Sequence, residues 1–132
     1  MNDNKIVQKA FGYKLIGTKF MKKVVADATL MLPDNIAYFV TKHMWFVSSF
    51  TDGYAFTLRR DDLKKGEYLV FLSDELLGRP TWRIKFSILH EIGHAYLGHK
   101  NSIGVPQSKR EVGRQEKEAD EFAKKYMIGF GG

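Results

Sequence analysis

Cysteine is absent from this chain of 132 residues. Disulfides are therefore excluded, and so is a thiolate metal site; any metal must be held by His, Asp or Glu. A chain without cysteine also fits a cytoplasmic address. Proline is scarce, and Pro33, Pro80 and Pro106 each fall where the pattern sets a boundary or a loop. No apolar run approaches the length of a membrane span. The first residues, Met1-Asn2-Asp3-Asn4-Lys5, lack the basic-then-apolar layout of a signal peptide. Repeats, low-complexity stretches and interdomain linkers are also missing, and the length suits one domain, residues 1–132, with a real core.

What is present describes an ordinary soluble globular composition, 44% apolar and 27% charged. The net charge is +6, and Lys5, Lys9, Lys14, Lys19, Lys22 and Lys23 carry much of the excess. A basic helix can lean on nucleic acid or an acidic partner. No nucleic-acid motif accompanies these lysines, so a solvated helix face is the better reading.

The periodicity predicts helix from about Asn4 to Leu32, with apolar positions at Ile6, Ala10, Phe11, Phe20, Met21, Val24, Val25 and Ala28. Gly12 and Gly17 weaken its middle, so one bent helix or two shorter ones both fit. A short helix follows over Asp34 to Lys42. Lone His43 reads as a surface or helix-end residue rather than a ligand. Met44 to Phe50, Tyr54 to Arg59 and Glu67 to Leu72 are rich in strand formers. Asp52-Gly53 is a hairpin signal, and the connections are short, so a small antiparallel three-stranded meander is expected. Ser73 to Arg79 reads as loop. Pro80 opens a helix that Gly98 stops, and a last helix runs from about Arg110 to Met127.

The helix after Pro80 carries His90-Glu91-Ile92-Gly93-His94. Residues four apart on a helix lie about 40° apart around its axis, one turn along. His90 and His94 can thus aim both imidazoles at one point, where a divalent ion such as zinc binds well. Glu91 lies between them in angle and can take a proton from water held there. The bland alternative is a polar stripe facing solvent. Phe86, Ile88, Leu89, Ile92, Ala95, Tyr96 and Leu97 argue against it, because they make this a largely buried helix. Buried histidines and a carboxylate need a partner, and a metal supplies one.

Three protein ligands and a water are usual at a catalytic zinc. The last helix offers Glu111, Glu116, Glu118, Asp120 and Glu121. Glu116 and Asp120 share a face, beside small Ala119 and Ala123 that permit close packing. Glu116 can bind the ion while Asp120 accepts the free N–H of a ligand histidine. Glu118 is the other candidate ligand.

Arg83-x-x-Phe86-Ser87-x-x-His90-Glu91-Ile92-Gly93-His94-x-x-Leu97-Gly98-His99, followed by Glu116-x-x-Ala119-Asp120-x-Phe122-Ala123, resembles the ImmA/IrrE family of zinc metallopeptidases. The resemblance covers roughly residues 67 to 127. It implies an α+β, zincin-like fold in which a small antiparallel sheet packs on the motif helices; with the helices read from periodicity, the expected architecture is a single domain of N-terminal helices, a small antiparallel three-stranded sheet, the HExxH helix and a C-terminal helix bearing the glutamate. It also implies that His90, His94 and Glu116 bind the metal and that Glu91 is the catalytic acid/base. Many relatives cut a DNA-binding repressor. The departures are that the methionine-proline signature often found after the second motif is missing here and that the N-terminal third carries no recognisable match.

The expected function is a zinc-dependent endopeptidase, with manganese as an alternative ion. A catalytically weak, metal-containing regulatory binding module is the competing reading, and a nucleic-acid-binding module a third. An extended substrate is expected to add to the sheet edge. Tyr96, Tyr126 and His99 are candidates for a second donor to the oxyanion, with His99 better read as a helix-end residue.

Overall fold

The computed structural model describes residues 3–48, 66–98 and 108–127. Helix α1 spans Asp3–Phe11 and α2 spans Lys19–Leu30. Between them the expected helix is interrupted. Gly12 adopts φ 63°, a left-handed conformation that favours glycine. A short 3-10 turn over Gly12–Lys14 leads into strand β1, Leu15–Ile16. Thr18 restarts the helix: its side chain accepts from the Met21 amide at 3.1 Å, an N-cap. The two halves are tied by Asn4, whose amide donates to Lys23 O at 2.9 Å and to Asp27 Oδ1 at 2.6 Å.

Pro33 precedes α3, Asp34–His43, which runs directly into β2, Met44–Ser48. Strand β3 is Tyr68–Leu72. Among the described residues the sheet has the order β1-β2-β3, and both pairings are parallel: Leu15 opposite Phe46, and Met44 opposite Tyr68 through Ser48 opposite Leu72. This corrects the antiparallel meander. The expected strand over Tyr54 to Arg59 lies outside the described residues, and β1 takes the third place. The physical reason lies in β2. Met44-Trp45-Phe46-Val47 does not alternate, and all five residues of the strand are buried. Such two-sided burial is the mark of a parallel strand covered on both faces. Residues 49–67 between β2 and β3 are numerous enough for the crossover that parallel pairing needs.

Ser73 to Arg79, expected as loop, contains a one-turn helix α4, Asp74–Leu77, which Ser73 caps by accepting from the Leu76 amide at 3.1 Å. Helix α5, Thr81–Tyr96, begins after Pro80 and ends as expected at Gly98, which has φ 73°. Helix α6, Lys109–Met127, is capped by Ser108 accepting from the Glu111 amide at 3.1 Å. The core gathers Phe11, Met21, Val25, Val40, Met44, Phe46 and Leu72 with Ile84, Ile88, Leu89 and Ile92 of α5, all essentially inaccessible to solvent. Helix α5 packs against both α2 and α6, so its inner face is anchored while its remaining stripe is free to present side chains. No described helix is long and apolar enough to cross a membrane.

Candidate metal centre

The site lies where α5 meets α6. Gly93 sets how closely they approach: a Cβ added there would lie 3.1 Å from Phe122 Cδ1 and Cγ. Ala119 and Ala123 are fully buried at the same interface. Small residues on both helices thus bring Glu116 and Asp120 of α6 within reach of the histidines on α5.

His90 Nε2 lies 2.8 Å from Glu116 Oε2. His94 Nε2 lies 3.1 Å from His90 Nε2 and 3.2 Å from Glu116 Oε1. One donor atom from each of His90, His94 and Glu116 falls within 4.8 Å of the others. On its far side, His90 Nδ1 lies 2.8 Å from Asp120 Oδ1. His94 is buried, with 5% of its surface exposed, whereas the Glu116 side chain is about half exposed, at 55%. The centre is therefore rooted in the core and opens to solvent.

The donor set fits a divalent ion. If neutral His90 donates its Nδ1–H to Asp120, its Nε2 carries a lone pair aimed at a carboxylate oxygen 2.8 Å away. Two lone pairs facing at that distance repel unless a positive charge sits between them. The one proton that His94 Nε2 can carry cannot satisfy both His90 and Glu116. Two imidazoles and a carboxylate form a usual ligand set for zinc, and an outer carboxylate on the ligand histidine fixes its tautomer.

Glu91 stands beside His90 on the wall of a groove of about 370 Å³, lined also by Trp82, Arg83, Phe86 and Ser87. The other expected residues separate from the centre. His43 ends α3, exposed, with its ring 5.3 Å from that of Phe39. Glu118 faces Arg114 at 3.7 Å and is not part of the cluster. Tyr96 Oη accepts from Asn35 at 3.5 Å, and the Tyr126 ring packs on Phe122 at 4.9 Å. Neither tyrosine lines the groove. His99 lies outside the described residues. Sequence reasoning did not find the groove. Its signal was present: Trp82, Phe86 and His90 fall at successive steps of four, and Arg83, Ser87 and Glu91 form the adjacent row.

Fold and site together describe an α+β protein with a cluster of two histidines and a glutamate able to hold a metal ion. Residues 81–131 match the family model described as Peptidase U49, a stretch that contains both α5 and α6. The likeness supports a peptidase. No curated protein and no solved structure matches the chain.

Proposed function

We propose that this protein is a metal-dependent endopeptidase of the HExxH type, similar to the ImmA/IrrE peptidases and zincin-like in its site. The observation that carries the reading is the convergence of His90, His94 and Glu116 from two helices, with Asp120 bonded to the outer nitrogen of His90. The Peptidase U49 likeness over those helices supports it. His90, His94 and Glu116 would hold the ion, zinc by ligand type with manganese as the alternative. When bound, such an ion activates water and polarises the scissile carbonyl.

The chain's own residues supply the rest. Glu91 is the acid/base: it takes a proton from the attacking water and returns it to the departing amine. Asp120 holds the His90 ring in the tautomer that leaves Nε2 free. Buried His94 fixes the cluster to the core, and half-exposed Glu116 leaves the site open to a peptide. The substrate we propose is a regulatory protein, such as a DNA-binding repressor, met in the cytoplasm, and the chain works as one domain.

Two measurements test the reading together. Elemental analysis of untagged protein should give about one zinc per chain, weakened or lost in Glu116→Ala. Glu91→Gln should keep the metal and lose cleavage of a peptide library that wild type cuts. Protein that takes up no metal even when zinc is offered sinks the proposal at its first step.

A further inference from the structure

The groove beside the centre has a polarity of its own. It runs along α5, and Arg83 and Glu91, eight residues apart, both line it. Eight residues span about 12 Å of helix. Its Glu91 end lies beside the carboxylates of Glu116 and Asp120, which contact His90. Its other end is lined by Arg83 together with Trp82 and Phe86. The neighbouring arginines are committed: Arg79 pairs with Glu75 at 3.1 Å, and Arg114 with Glu118 at 3.7 Å. Arg83 makes no ion pair with any described residue.

From this we infer that Arg83 determines specificity, pairing with a carboxylate on the peptide that lies along α5. The inference rests on the peptidase reading and names the substrate class of that site: peptides bearing an acidic group on one side of the scissile bond. The planar guanidinium matches a single carboxylate through two parallel hydrogen bonds. Trp82 and Phe86 line the same groove and offer apolar surface to the peptide beside that pair. An extended peptide advances about 3.3 Å per residue. With the reach of the arginine side chain included, the carboxylate falls roughly two to four residues from the bond cut. Arg83 lies at one end of the groove and Glu91 at the other, so a pairing at Arg83 sets a direction as well as a preference.

The probe is a degenerate library of decapeptides, acetylated and amidated, with a second set bearing free C-terminal carboxylates. Each is passed over immobilised, zinc-loaded Glu91→Gln protein, and retained peptides are sequenced. Asp and Glu should be enriched about two- to fivefold at one position, the range of partly exposed ion pairs. Adding Arg83→Gln should abolish the enrichment, and adding Arg83→Glu should replace it with Lys and Arg. A misfolded variant does not produce such a reversal. Enrichment confined to the free-acid set, and lost with Arg83, would assign the carboxylate to the peptide terminus and still support the inference. Selection unaffected by Arg83, or no peptide retained above bare resin, overturns it. Cleavage of the same library by wild type is scored separately. Cutting without selection by Arg83 leaves the peptidase reading standing alone; selection by Arg83 without cutting leaves the binding role and removes the peptidase.

Discussion

Asp120 Oδ1 lies 2.8 Å from His90 Nδ1, on the side of the ring away from Glu116. The contact spans two helices and joins residues thirty apart in the chain. It decides which nitrogen of His90 carries the proton, and so whether Nε2 can act as a ligand. Asp120→Ala should weaken zinc binding about 10- to 100-fold, the usual loss when such an outer partner is removed. Asp120→Asn keeps an acceptor oxygen and should lose less. Competition against a chromophoric chelator measures both. Equal affinity in wild type and the alanine variant would show that the ring needs no such support.

Glu116 and Glu118 are two residues apart on α6, yet only the first reaches the histidines. Glu118→Ala should retain the zinc stoichiometry of wild type and change stability by no more than about 1 kcal/mol, because its pair with Arg114 is largely exposed. Glu116→Ala should lose the metal. In wild type, zinc at a hundredfold excess over Kd should raise Tm by on the order of 5–10 °C, and EDTA should reverse the gain. Thermal scans of the three proteins with and without zinc check this. A metal shift that survives Glu116→Ala would move the third ligand elsewhere.

Gly93 lies within the motif without offering a ligand atom. Alanine there would improve helix propensity by about 1 kcal/mol. Against that, its Cβ would press on Phe122 at 3.1 Å. Phe122 has little room to give, since the rings of Tyr96 and Tyr126 pack against it at 6.2 and 4.9 Å. Overpacking costs about 1–3 kcal/mol. Gly93→Ala should therefore lose about 1 kcal/mol net and bind zinc more weakly, because α6 must move outward with Glu116. Adding Phe122→Leu should recover part of both losses, a coupling read from a double-mutant cycle. A Gly93→Ala protein more stable than wild type would mean that the helices do not need this close approach.

The cluster of His90, His94 and Glu116, which could hold a metal ion, was legible in the sequence because much of its geometry is local. His90 and His94 share a face by helical spacing, as do Glu116 and Asp120, and the small Ala119 and Ala123 mark where the second helix can approach. The sheet was not legible in the same way. Strand pairing is a contact between distant segments, and chain proximity favoured a hairpin over a crossover. The unbroken apolar run of β2 held the contrary signal, two-sided burial, but the same run also suits an irregular half-buried strand. Strand β1 has only two residues and no period of its own. Helical spacing of the residues around it, Ala10 and Phe11 before and Phe20 and Met21 after, concealed it.

Gly17 tests that concealed strand most directly, because the two descriptions predict opposite signs. Within a continuous helix, Gly17→Ala would stabilise the protein by about 1 kcal/mol. In the structure Gly17 directly follows β1, and an added Cβ would lie 2.7 Å from Met21 Cε and 2.8 Å from Ser48 Cβ. The Met21 methyl could swing aside, but Met21 is fully buried. The Ser48 Cβ cannot move without the last residue of the central strand. Something in the sheet or α2 must therefore shift, and Gly17→Ala should lose about 2–3 kcal/mol, at the upper end of overpacking costs. Urea unfolding gives the value, and zinc affinity of the folded fraction should be unchanged, since the contacts lie on β2 and α2 rather than on α5 or α6. A stabilised variant would restore the continuous helix and remove β1 from the sheet.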